Sequence, residues 1–164
     1  MKYIDRESLT ALLKARRTKP RLMRDIRFVP EEVAHWDKRE MLAVFTKSAN
    51  EGVLLIELDG ELVLLPFERG KRITDSATGR SKSITCDFCK TWQRGSNAAI
   101  ICFPLSDGRT KGYLCCADLD CSLHVRNLTP QSSLSRTQLH EDITTEGRIV
   151  RLKKSLHTLI EQCS

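Results

Sequence analysis

Two short stretches hold the residues most able to do chemistry: Cys86-x-x-Cys89, and Cys115, Cys116 and Cys121 within CCADLDC. The chain has seven cysteines, and five of them fall in these stretches. Three chemistries compete for such clusters: disulfide crosslinking, dithiol redox exchange and metal ligation. A redox Cys-x-x-Cys sits between a strand and a long helix in a βαβ unit. Here a second hairpin pattern follows instead, NAAIICFPLSDGRTKGYLC with Asp107-Gly108 at its turn. The first residues, MKYIDRESLTALLKARR, read as a polar helix start with no apolar leader, so a cytoplasmic, reducing setting is expected and disulfides are not.

Metal ligation remains. Zn²⁺ takes four ligands tetrahedrally, and a Cys-x-x-Cys turn presents two thiolates to one ion. The second pair is expected to be Cys116, where a strand ends, and Cys121, at the start of a short helix. Cys115 precedes Cys116 and, by the period of a strand, points to the other face. Cys102, within AIICF, is expected to be a buried apolar residue, and Cys163 a bystander near the end. His124 is the runner-up ligand, and Cys115 or His124 could replace a member of the four. Four thiolates leave no open coordination position, so one structural Zn²⁺ and no catalysis are expected. The four histidines are scattered and no Gly-rich phosphate loop is present, which points to a binding module and not an enzyme.

The elements that must position these ligands are legible in part. The chain has 164 residues, enough for a real core. Leu9, Leu12 and Leu13 mark a first helix over residues 7–18. Pro30 with two glutamates suits a helix first turn. Asp37 with Glu40 reads as a capping pair opening a helix to about Ala49, either as one bent helix or two short ones. VLLIELDGELVLLPF reads as a hairpin, with strands near 53–58 and 61–67 turning at Asp59-Gly60. Residues 68–83 form a polar loop carrying Arg69, Lys71, Arg72, Arg80 and Lys82, and 128–143 a Ser/Thr-rich connector. Ile149, Leu152, Leu156 and Leu159 stripe a last helix to about Gln162. The fold class is therefore α+β: N-terminal helices, antiparallel hairpins, a treble-clef zinc finger and a C-terminal helix. Residues 1–68 and 69–164 are its two parts, expected to form one compact unit and a monomer.

A formal charge of +6 with a pI near 9.0 suits an acidic partner. Aromatic content of only 5% counts against a single-strand nucleic-acid binder, which needs stacking platforms. No apolar run spans a membrane. Candidate contacts surround the knuckle: Lys82 before it, Phe88, Lys90 and Arg94 on or just after it, and Lys111 on the next strand. Phe88, between two ligands on a tight turn, is expected to be exposed as an anchor.

TCDFCK, GYLCCADLDCSLHVR and ITTEGRIVRLKKSLHTLI together resemble one family. It is the group of elongation factor G-binding proteins with a C-terminal treble-clef zinc finger, including FusB-type fusidic-acid-resistance proteins. Its pattern falls here on Cys86, Cys89, Cys116, Asp118 and Cys121. The resemblance implies binding to elongation factor G and, in resistance members, release of drug-stalled factor from the ribosome. A zinc-dependent RNA- or ribosome-binding module is the alternative.

Overall fold

Neighbouring side chains on a strand face opposite ways, so an apolar run buried on both faces divides between two cores. That division organises this protein. The computed structural model describes residues 1–70, 73–130 and 143–163. Helices α1 (Arg6–Ala15) and α2 (Pro20–Asp25) come first, followed by strands β1 (Met41–Phe45), β2 (Glu51–Leu58) and β3 (Glu61–Arg69). Two short strands, β4 (Ile84–Thr85) and β5 (Trp92–Gln93), precede the long pair β6 (Ala98–Pro104) and β7 (Thr110–Cys116). Helix α3 (Cys121–His124) and helix α4 (Thr145–Cys163) follow.

The five long strands form one antiparallel sheet in the order β1-β2-β3-β6-β7. It therefore joins strands from either side of residues 68 and 69. Leu42, Val44, Val53, Leu55 and Leu64 face α1 and α2, packing with Leu9, Leu13 and Leu22. Their strand neighbours Met41, Leu54, Ile56, Leu65 and Phe67 join the other core. There they meet Ile101 and Phe103 of β6 and Leu152, Leu156 and Leu159 of α4. The result is helices over both faces of the sheet, with the cysteine cluster inside the second core.

The expected hairpins form. Asp59 and Gly60 take φ of 53° and 84°, the positive pair that a two-residue turn demands. Gly108 has φ 81° at the second turn. Gly52 is required by close approach, because a Cβ there would lie 2.4 Å from the Val44 carbonyl oxygen.

The helix expected from Asp37 to Ala49 is not present. Trp36–Lys38 makes a single 3₁₀ turn and Met41–Phe45 is an edge strand. MLAVF is apolar at every position, so its 3-4 spacing and its period of two are equally readable. Two-sided burial settles it: Met41, Ala43 and Phe45 face one core and Leu42 and Val44 the other. Pro30 likewise opens a 3₁₀ turn, Pro30–Glu32, and no α-helix.

Glu40 has a different task from capping. Arg126, just after α3, donates from Nη1 to Glu40 Oε2 at 2.9 Å and from Nη2 to Oε1. Burial alone would raise the Glu40 pKa, but the Arg126 guanidinium outweighs it and holds the carboxyl below its usual range. Beside this pair, Ser122 Oγ accepts from the backbone N–H of Glu40 at 2.9 Å and of Met41 at 3.2 Å. Arg39 Nη1 donates to Asp120 Oδ1 at 2.7 Å. A polar seam thus fastens the edge strand to the short helix that carries Cys121.

Strand β3 extends through Arg69, so the loop expected from residue 68 starts later. Lys71 and Arg72 lie outside the described residues, as do residues 131–142 of the Ser/Thr-rich connector. The final helix runs one residue beyond the expected Gln162.

Candidate metal centre

A cysteine pair needs a turn that points both sulfurs the same way. Here β4 and β5 pair through Thr85 and Trp92 and close such a turn. Cys86 N–H donates to Thr91 O at 2.9 Å, and Lys90 N–H to Cys86 O at 2.9 Å. Lys90 takes the left-handed conformation, φ 58°, that the reversal requires. The knuckle is pinned to the sheet by Asp87. Its N–H donates to Leu114 O and its Oδ2 accepts from Leu114 N–H, each at 2.7 Å.

Strand β7 delivers Cys116 at its last position. A turn follows in which Leu119 N–H donates to Cys116 O at 3.1 Å, with Leu119 at φ 54°. Cys121 opens α3 directly after. The order knuckle, hairpin, short helix is that of a treble clef.

The four sulfurs of Cys86, Cys89, Cys116 and Cys121 all lie within 4.8 Å of one another, and all four residues are buried. Cys86 to Cys121 is 3.7 Å, Cys89 to Cys116 3.5 Å and Cys116 to Cys121 3.8 Å. A tetrahedral zinc with Zn–S bonds of about 2.3 Å has sulfurs about 3.8 Å apart. The donor set and spacing fit that ion, and they are far too long for disulfides. The four cysteines form a single structural zinc site. The ion's contribution there is a crosslink that holds the knuckle against the strand–helix turn.

Bare thiols at this spacing titrate apart. Cys86 is pulled well below the usual thiol range by hydrogen bonds from neighbouring thiols, Cys115 foremost. Cys121 is pushed well above it by Cys116, Cys86 and Cys89. Crowded thiolates in a dry site cannot all carry charge without a cation among them.

A second layer of polar groups fixes the ligands. Thr91 Oγ1 lies 2.9 Å from Cys89 Sγ and accepts from Gln93 Nε2 at 2.8 Å. Asn97 Nδ2 donates to Gln93 Oε1 and Asp118 Oδ2, both at 2.9 Å. His124 is fully buried, with Nδ1 3.2 Å from Cys116 Sγ and Nε2 3.4 Å from Asp118 Oδ2. Burial disfavours a charged imidazole, but Asp118 and the Cys89 sulfur outweigh it and lift the His124 pKa to about 10. The imidazole therefore links a zinc ligand, Cys116, to the Asp118 carboxylate and holds both in place. His124 supports the ligands; it is not one of the tetrahedral four. Asp118→Asn removes the carboxylate that faces this imidazole. Zinc affinity is expected to fall about 10–100-fold, read by competition with a chromophoric chelator.

The structure divides the predicted contact residues. Lys90 and Lys111 line one groove with the knuckle. Lys82 is exposed but pairs with Asp75 at 3.3 Å, and Arg94 is exposed; neither lines that groove. Phe88 is corrected outright, because it is 1% exposed. Its ring stacks at 5.3 Å from Tyr113 and 6.2 Å from Phe103, so it anchors the knuckle inward. The turn projects it onto the sheet because Asp87 has already tied the knuckle to β7. Cys115 is corrected too: it does not point away from Cys116 but is buried in the same core cluster, against Cys86, although it is not among the four clustered ligands. Cys102 is only half-buried, since it lies on the β6 face away from Ile101 and Phe103. Thr91, Gln93 and Asn97 were not foreseen. Their signal in the sequence is only the mostly polar stretch KTWQRGSN that follows the knuckle.

The sequence pattern of the FBP C-terminal treble-clef zinc-finger family matches residues 8–163, nearly the whole chain. No curated protein and no solved structure matches. No helix among the described residues is long and apolar enough to cross a membrane.

Proposed function

The chain belongs to the FBP C-terminal treble-clef zinc-finger family, and from that premise we propose that it is a non-catalytic cytoplasmic binding module that docks on translation elongation factor G. The observation that carries the binding role is the closed Cys₄ site. Its ligands leave no position for water or substrate, so the ion organises a surface and performs no reaction. Choosing elongation factor G rests on the resemblance of the zinc motif and the last helix to factor G-binding proteins. Release of drug-stalled factor from the ribosome is the activity to which that resemblance extends. A net charge of +6 suits an acidic partner. A finger held by metal and by the Glu40–Arg126 seam gains little order on binding, so less of the contact energy is lost to ordering.

Titration calorimetry of the zinc-loaded protein with purified, nuclease-treated elongation factor G tests the reading. Saturable heat near one-to-one stoichiometry is expected, and prior removal of zinc should abolish it. No heat with the factor, together with RNA binding that falls steeply with salt, would replace this reading with an RNA-binding one.

A further inference from the structure

We propose that the basic turn joining α1 to α2 binds the phosphate backbone of double-helical RNA, because cations from neighbouring elements gather there with no large apolar side chain exposed among them. The charge of the chain is concentrated at this end. Residues 1–27 carry nine Lys and Arg against three Asp and Glu, and the other residues carry eighteen of each, so the net +6 belongs wholly to the first segment. All nine of these basic residues are exposed. Leu9, Leu13 and Leu22 point into the first core, which leaves the outer faces of both helices to the charges. Arg17 N–H donates to Lys14 O and Thr18 N–H to Leu13 O, both at 3.0 Å, and Arg17 takes φ 50° where the chain reverses. Lys14, Arg16, Arg17 and Lys19 are thereby held at one tight turn, and Arg21 follows in the first turn of α2. Lys47, exposed on the β1–β2 turn, is brought beside the end of α2 by its N–H, which donates to Asp25 O at 3.0 Å.

Little in the fold neutralises these charges. Among the described residues, Lys14, Arg16, Arg17, Lys19 and Lys47 have no ion pair, while Arg21 and Arg24 share Asp25 at 3.9 Å and 3.3 Å. Asp5 and Glu7 sit at the start of α1, the opposite end of that helix from Lys14. A polyanion is the complement, and what the face lacks says which one. An acidic protein would be held by a large aromatic or aliphatic anchor. Of the large apolar side chains that are exposed, none lies between residues 4 and 27. A membrane-surface helix inserts its apolar face, and those of α1 and α2 are already in the core. Single-stranded bases need open aromatic rings to stack on, and residues 14–27 contain none. A double helix hides its bases and presents rows of phosphates. The guanidinium forks of Arg16, Arg17 and Arg21 pair with phosphate oxygens two at a time. Such contacts read no sequence, so duplexes of different sequence should bind alike. The face lies across the sheet from the cysteine cluster. It goes beyond docking on elongation factor G, and it rests on that reading only in the choice of RNA over DNA.

The test uses the full zinc-loaded chain and a short fluorescein-labelled RNA duplex. Fluorescence anisotropy should show binding whose log affinity falls with log salt at a slope of about −4.5, for about five phosphate contacts. Arg17→Glu with Lys19→Glu should weaken binding about tenfold or more and flatten the slope by about two. Arg17→Gln with Lys19→Gln should lie between that variant and the native chain. Lys153→Glu with Lys154→Glu makes the same change of charge at exposed sites on α4, across the sheet, and should leave binding within about twofold. Zinc content and melting temperature should not move in any variant. Equal weakening by both charge reversals, no RNA binding, or tighter binding of oligouridylate, a polyglutamate peptide or the DNA duplex of the same sequence would each overturn the RNA face. A parallel titration with purified elongation factor G separates the two proposals. If the factor binds and the RNA duplex does not, the RNA face is wrong and the partner reading stands. If the duplex binds through Arg17 and Lys19 and the factor does not bind, the partner reading is wrong and the RNA face stands.

Discussion

Cys89→Ser is expected to release the zinc and unfold the finger with much of the second core. Elemental analysis should fall from about one zinc per chain to a negligible amount, and the cooperative thermal transition should broaden or disappear. The magnitude follows from what the ion holds. Structural zinc contributes about 10–16 kcal/mol in isolated finger peptides, as much as the whole stability of an ordinary domain at about 5–15 kcal/mol. Here the cluster is continuous with the core of the sheet and α4, so its loss reaches beyond the knuckle. Three buried thiols would also be left without the cation that lets them ionise together. Cys102→Ser, Cys115→Ser and Cys163→Ser should each keep one zinc per chain. Cys115→Ser is the most demanding of these controls, because Cys115 abuts Cys86. Zinc retained by Cys89→Ser, or lost from Cys115→Ser and kept by Cys116→Ser, would reassign the ligands.

Phe88→Ala is expected to cost about 3–5 kcal/mol of folding stability. The side chain is almost wholly buried and packs on Tyr113 and Phe103. Truncation removes those contacts and leaves a cavity under the knuckle that the metal-held backbone cannot close. Urea unfolding of the zinc-loaded variant should show a lower midpoint, while the four ligands keep their zinc at native temperature. An unchanged midpoint with weakened partner binding would mean that Phe88 acts as an exposed anchor after all. Position between two ligands was a poor guide to exposure. A knuckle has an inner side whenever another strand docks against it, and Asp87 makes that docking.

The parts legible in the sequence are those written in local chemistry. Cys-x-x-Cys spacing announces a knuckle because the geometry of two thiolates on one tight turn is independent of the rest of the chain. Asp59-Gly60 announces a hairpin because few other residues tolerate two successive positive φ angles. The stripe of Leu152, Leu156 and Leu159 announces a docked helix for the same kind of reason. Residues 41–45 failed this test. An all-apolar segment carries no period, and its state depends on what covers its two faces.

The sequence by itself therefore pointed to the zinc ligands while leaving Cys115 and His124 open, and it determined the treble-clef order and the basic balance of charge, since spacing, turn chemistry and composition are properties of neighbouring residues. Only the tertiary structure decided which side chains surround those ligands and which remain at the surface. His124 stands against Cys116 and Asp118, and Glu40 reaches Arg126 across 86 positions of chain. Phe88 turns inward while Lys90 and Lys111 meet Arg151 and Lys154 along one groove. The physical reason is that burial and charge pairing are set by what packs across from a residue, and the partner that packs there is distant in the chain.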